Sequence, residues 1–136
     1  MKVVIIDGQG GRIGQSLVEK IKEAKISCDI TAIGTNSAAT AAMLKAGADR
    51  GATGENPVLV ACRDADVIMG PLGIIAADSL MGEITADMAA AVARCSAVKV
   101  LLPVNMCKKI VAGTRSMTMS ALISEAVTQL REMITA

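Results

Sequence analysis

The hydrophobic pattern at the start of the chain predicts a strand, a turn and a helix. Residues 3–6 form an unbroken β-branched run, which is typical of a strand buried on both faces of a parallel sheet. Three glycines follow Gln9 within one turn, and from Gln15 the apolar positions recur at helical spacing. The pattern therefore predicts a strand that ends at Asp7, a glycine-rich turn, and a helix over 12–24.

The same alternation continues along the chain. Further strands are predicted over 30–33, 50–52, 67–69 and 98–102, and helices over 38–45, 57–62, 74–81, 85–94 and 120–134. Ser37 and Thr85 are expected to cap their helices, Pro57 to occupy a first helical position, and Gly47 to follow a helix end.

A sixth strand is predicted over 110–113, and it is expected to be antiparallel because the connection before it is too short for a crossover helix. Strands that alternate with helices indicate a doubly wound α/β domain. The fold expected is therefore a single three-layer, Rossmann-like domain over 1–136, with five to six mostly parallel strands.

Composition narrows the classes of function. Of the 136 residues 52% are hydrophobic and none is Phe, Tyr or Trp, so the core must be aliphatic and thioether. The chain lacks aromatic residues for base stacking, and its 14 basic and 13 acidic residues nearly balance, which argues against a nucleic acid or a membrane as partner. The N-terminal apolar run is too short for a signal peptide, so a cytoplasmic location is expected.

The four cysteines give no sign of a metal site. Cys28, Cys62, Cys95 and Cys107 are widely spaced, form no CxxC pair and have no histidine to join them. They are expected to be mostly buried thiols in a reducing compartment, although two lysines after Cys107 would favour its thiolate.

The glycine-rich turn predicts a phosphate site. Backbone N–H groups and the positive end of the first helix point at one spot, and glycines let a phosphate approach the backbone. Other ligand contacts are expected from loops at the same edge of the sheet, near its topological switch. The predicted ligand-binding residues are Gly8, Gln9, Gly10, Gly11, Arg12, Ile13, Gly14, Thr35, Asn36, Ser37, Gly70, Pro71, Gly73 and Asn105.

An alternative is that these glycines only let the first helix pack closely on the sheet. The two interpretations differ in their consequences for one substitution. If the turn holds phosphates, Gly11→Val is expected to abolish binding and to leave the fold intact.

Three known nucleotide-binding motifs resemble parts of this sequence. The glycine spacing at 8, 11 and 14 resembles the turn of extended short-chain dehydrogenases, but without tyrosine their Tyr-x-x-x-Lys pair cannot exist. The Gln-Gly-Gly at 9–11 resembles deviant Walker motifs, but no lysine follows Gly14, which argues against an ATPase. The order of the glycine turn and the loops at 35–37 and 70–73 resembles that of tubulin-like GTPases, although the last loop matches poorly.

If the ligand is a dinucleotide, NADP or NAD is expected. An acidic residue usually follows the second strand and holds the ribose hydroxyls, but residues 34–37 contain no carboxylate. Their hydroxyl and amide donors suit a phosphate better than a diol, which favours NADP.

Asp7, Asp78 and Glu83 are the acid–base candidates near these loops, and no constellation identifies a reaction. The function expected is a nucleotide- or dinucleotide-binding module with little or no catalysis, with a homodimer as a possible assembly. The alternatives are an NADP-linked oxidoreductase with its substrate over 70–73, and a scaffold that binds no nucleotide.

The whole chain also resembles a small bacterial family known only as a domain of unknown function. Its members open with a strand and the pattern I-D-G-Q-G-G-x-I-G, which Ile6 to Gly14 match. The likeness continues through 34–37, 51–56, 62–66, 70–73, 82–85 and 103–105. The resemblance implies a Rossmann-like fold and no established activity, cofactor or substrate.

Overall fold

The computed structural model of the protein describes residues 1–104 and 108–136, and its centre is a parallel sheet. The strands are β1 (Lys2–Asp7), β2 (Asp29–Gly34), β3 (Arg50–Thr53), β4 (Val67–Pro71) and β5 (Val98–Leu102), in the order β3-β2-β1-β4-β5. The order changes direction between β1 and β4, which makes the carboxyl ends of these two strands the topological switch. The predicted doubly wound α/β fold is confirmed.

Helices cover both faces of the sheet. They are α1 (Arg12–Glu23), α2 (Ser37–Lys45), α3 (Glu55–Ala61), α4 (Ala86–Arg94) and α5 (Met119–Thr135), with a 3₁₀ turn at Leu72–Ile75. Helices α1, α2 and α5 pack over one face and α3 and α4 over the other. Because side chains alternate along a strand, Val3 and Ile5 enter the first core while Val4 and Ile6 enter the second. The β-branched run of β1 is buried on both sides, as its sequence predicts.

The N-termini of α2 and α4 show which polar side chains cap a helix. Thr85 caps α4 by accepting the N–H of Met88 at 3.1 Å, as predicted. Ser37, however, is the first residue of α2 and not its cap, because the Asn36 side chain accepts the N–H of Ala39 at 2.9 Å. The amide nitrogen of Asn36 also donates to other loops, at the Gln9 carbonyl and the Glu83 carboxylate.

Three predicted elements differ from the structure. Residues 110–113 form no strand: Ile110 is 96% exposed, and the Thr114 N–H donates to the Val111 carbonyl in a turn. Ile110 and Val111 are apolar, but an apolar pair forms a β-strand only where a neighbouring strand provides hydrogen-bond partners. Residues 76–81 form turns and not a helix. Pro57 is the third residue of α3, since that helix begins at Glu55.

Candidate functional site

The glycine loop between β1 and α1 is built around a buried carboxylate. The Asp7 side chain is 2% exposed, and its two oxygens accept the N–H groups of Gly8 at 2.8 Å and Gly14 at 2.7 Å. Burial raises the pKa of Asp7, although the N–H groups of Gly14, Gly8 and Ile13 counteract part of that rise. The buried carboxyl group of Asp7 therefore already faces the positive end of α1.

Close packing accounts for three of the glycines. A Cβ at Gly11 would lie 2.7 Å from the Cα of Ala39, and one at Gly14 would lie 2.4 Å from the sulfur of Met43. A Cβ at Gly8 would lie 2.6 Å from the hydroxyl of Thr35. These three glycines thus let the loop and α1 approach α2 and its preceding loop.

This packing changes what Gly11→Val would do. Gly11 has a φ of +72°, in the left-handed region, and its missing Cβ faces helix backbone. A valine at this position would disturb the fold as well as any ligand, so the substitution does not isolate binding. Gly10, by contrast, faces open space: in the described part of the chain, no atom lies within 4 Å of a Cβ built on it.

A cavity of about 190 Å³ opens beside Gly10. Its wall consists of the loop from Asp7 to Ile13 and of Met119, the first residue of α5. Pockets for drug-sized ligands usually span about 300–1,000 Å³, so this one has room for a phosphate and not for a whole dinucleotide. Arg12 lies on the cavity wall and is exposed to solvent.

Glu83 joins the glycine loop to the loop after β2. One of its oxygens accepts hydrogen bonds from the Thr35 hydroxyl at 2.6 Å and the Asn36 amide at 2.8 Å. The Gln9 N–H lies 2.9 Å and 3.1 Å from the two carboxylate oxygens. Burial acts to raise the pKa of Glu83, but the bonds donated by Thr35, Asn36 and Gln9 outweigh it and lower the pKa.

The structure thus brings the predicted residues Thr35 and Asn36 against the predicted glycine loop. The Asn36 amide also donates to the Gln9 carbonyl at 2.9 Å. Ser37 is exposed at the start of α2. Glu83 therefore brings a carboxylate from a distant loop to Thr35 and Asn36, although the residues after β2 contain none.

The predicted residues of the second Gly/Pro loop are buried. A Cβ at Gly70 would lie 2.3 Å from the carbonyl oxygen of Ile6, and one at Gly73 would lie 3.1 Å from the Cβ of Ser79. Pro71 is the last residue of β4. This loop lies next to β1 across the topological switch, as expected, while the predicted contact Asn105 and the thiol of Cys107 lie outside the described residues.

A family model described as "Domain of unknown function (DUF3842)" matches residues 2–135. The chain belongs to this family. Its resemblance to an uncharacterised family is thereby confirmed. No curated protein matches the chain. Among solved structures, a dodecameric FMN-dependent UbiX-like decarboxylase from Escherichia coli O157:H7 is similar at 13% identity and a TM-score of 0.46, over 100% of this chain and 95% of that one.

Several other titratable groups of this DUF3842 chain have their partners elsewhere in the fold. Asp64 and Asp66 contact Lys2 at the amino end of the sheet. Burial and the neighbouring Cys95 raise the pKa of Cys62 to about 12, so its thiol is protonated at neutral pH. Over 1–104 and 108–136, no three cysteines and carboxylates gather as a metal site would require. In those ranges no helix combines the length and the apolarity needed to cross a bilayer.

Proposed function

We propose that this chain is a nucleotide-binding module that holds a phosphate group in the cavity beside Gly10. The observation that carries the proposal is the position of this cavity at the positive end of α1, a helix of 12 residues whose N-cap residue, Gly11, has no side chain and whose first turn contains no acidic residue. Asp7 accepts the Gly14 N–H of that turn and leaves the Arg12 N–H without an acceptor among the described residues. Such a helix end attracts an anion, and the exposed Arg12 adds a full positive charge.

Two backbone donors support the same position. Within the described part of the chain, the N–H groups of Gly10 and Arg12 make no hydrogen bond. Both belong to residues of the cavity wall. The N–H groups of Gly8, Gln9, Gly11 and Gly14, by contrast, are bonded within the protein. We therefore place the phosphate on the middle of the loop, with the sugar and the base outside the cavity.

A thermal-shift panel tests this proposal. The purified chain is heated with NAD, NADP, ATP, GTP, FAD, FMN or S-adenosylmethionine, and a ligand that binds only the folded state raises the melting temperature. We expect a rise of several degrees with at least one of them. If a reduced nicotinamide is oxidised in the presence of candidate substrates, the protein is an enzyme and not only a binding module. If no ligand changes the melting temperature, the result favours a scaffold that binds no nucleotide.

The substitution Gly10→Val locates the phosphate. A valine fits the open space at this position, so we expect an unchanged melting temperature and at least a tenfold weaker affinity for the ligand found in the panel, about 1.4 kcal/mol. Titration calorimetry measures the affinity, and Gly10→Ala is the smaller matched control. Full affinity in Gly10→Val would exclude this cavity as the phosphate site.

A further inference from the structure

The loop between the 3₁₀ turn and α4 concentrates features that cost stability. Asp78, Leu80 and Met81 have φ values of +67°, +56° and +57°, in the left-handed region that side chains disfavour. The hydroxyl of Ser79 is buried and has no hydrogen-bond partner among residues 1–104 and 108–136. The Met81 side chain is 90% exposed. Strain of this kind persists only where other contacts hold the segment in place.

Two kinds of contact hold this loop closed. Leu80 and Ile84 are 3% and 0% exposed and pack into the core under α4. Glu83, between them, reaches out of the loop to the Gln9 N–H and to the side chains of the β2–α2 loop. The carboxylate of Glu83 is thus the polar contact that joins the strained loop to the glycine loop.

The partners of Glu83 resemble an anion site. The Thr35 hydroxyl, the Asn36 amide and the Gln9 N–H all donate to the same carboxylate oxygen, at 2.6, 2.8 and 3.1 Å. They come from two different loops at the carboxyl ends of neighbouring strands. Convergent donors around one oxygen can bind a phosphate oxygen as well as a carboxylate oxygen.

We propose that these three donors form a second phosphate-binding position, which Glu83 occupies when no ligand is bound and which the strained loop vacates when a phosphate competes. The tethered carboxylate is present at high effective concentration, so the wild-type chain binds free phosphate weakly at this position. A ligand shifts the equilibrium toward the open loop only as far as its affinity for the open state exceeds its affinity for the closed state. The identity of the ligand as a nucleotide rests on the proposed function, whereas the existence of this position does not.

Glu83→Ala in the full chain tests the proposal with inorganic phosphate as the probe. Removing the carboxylate takes the shared acceptor away from the three donors, although the Asn36 amide keeps its bond to the Gln9 carbonyl, so phosphate should fill the vacated position. We expect a saturable rise in melting temperature with phosphate, and an apparent dissociation constant at least tenfold lower than in the wild type, at ionic strength held constant with sodium chloride. Glu125→Ala, on the exposed surface of α5, is the matched control and should respond as the wild type does. A Glu83→Ala chain that responds to phosphate no more than the wild type overturns the proposal.

Two double variants separate this position from the cavity beside Gly10. Thr35→Val in the Glu83→Ala background removes one donor without changing the shape, so it should abolish the gain in phosphate affinity; a retained gain overturns the proposal. Gly10→Val in the same background should keep the gain, since the cavity is a different site. Loss of the gain in Gly10→Val would assign the phosphate to the cavity and reject the second position.

Glu83→Gln keeps the test possible if Glu83→Ala fails to fold. The glutamine amide preserves the size of the side chain and one accepting oxygen, but it lacks the charge. We expect a phosphate affinity between those of the wild type and the alanine variant, measured by the broadening of the phosphorus resonance of inorganic phosphate. An affinity equal to that of the wild type counts against the proposal.

Discussion

Gly70→Ala is expected to lower the free energy of unfolding by about 3 kcal/mol or more, near the upper end of overpacking effects. The added Cβ would lie 2.3 Å from the carbonyl oxygen of Ile6, which belongs to the central strand β1. Since β1 is hydrogen-bonded on both sides, neither backbone can retreat without disturbing the sheet. The melting temperature should fall by roughly 10 °C for a domain of this size.

Urea unfolding of Gly70→Ala and of Gly10→Ala measures this effect against a matched glycine. A Cβ at Gly10 meets no atom within 4 Å, so the control should unfold within about 1 kcal/mol of the wild type, the difference in backbone entropy. If Gly70→Ala kept the wild-type stability and lost affinity for a nucleotide, Gly70 would be a ligand contact, as its sequence context first predicts.

The fold was predictable because its signals are local. The apolar run of β1 and the helical spacing that follows it are enough to place the first βα unit, and the same alternation repeats up to β5. The connections are short and the crossovers of parallel strands have one preferred hand, so few arrangements remain once the elements are known.

The loop at 76–84 was not predictable, because its conformation depends on distant contacts. Its apolar residues suggest a helix, and none of Asp78, Leu80 and Met81 signals the left-handed backbone that a glycine would signal. Burial of Leu80 and Ile84 under α4 decides the conformation instead. No local pattern contains that information.

The place of the glycine loop between β1 and α1 was predictable from the sequence, but its purpose was ambiguous. A glycine permits a close approach to the backbone, but the sequence does not show whether anything approaches or what it is. At Gly11 the neighbour is the backbone of α2, whereas at Gly10 it is open space. The contact between Glu83 and Asn36 joins residues 47 positions apart, so the carboxylate at this edge of the sheet could not be inferred from the residues after β2.

Asp7→Ala is expected to lower the free energy of unfolding by about 3 kcal/mol. The substitution leaves the N–H groups of Gly8 and Gly14 without their acceptor in a buried place, and a buried donor left unpaired costs about 1–3 kcal/mol. Asp7→Asn should cost less, since its single carbonyl oxygen can still accept one of the two. Chemical unfolding at neutral pH would show this order, and an alanine variant as stable as the wild type would mean that water replaces the carboxylate.

The pH dependence of the free energy of unfolding, compared between the wild type and Asp7→Asn, shows whether Asp7 is charged or protonated in the folded state. Burial raises the pKa of Asp7 in the folded state above its ordinary value of 3.8, so protonation favours folding. That contribution is fully present below pH 3.8 and is lost as the pH rises through the folded-state pKa. The stability gap between the wild type and Asp7→Asn, which cannot titrate at this position, should therefore narrow as the pH rises from 3.8 through the raised folded-state pKa of Asp7. A gap that widens with pH would show that the end of α1 and the loop N–H groups stabilise the charged carboxylate more than burial opposes it.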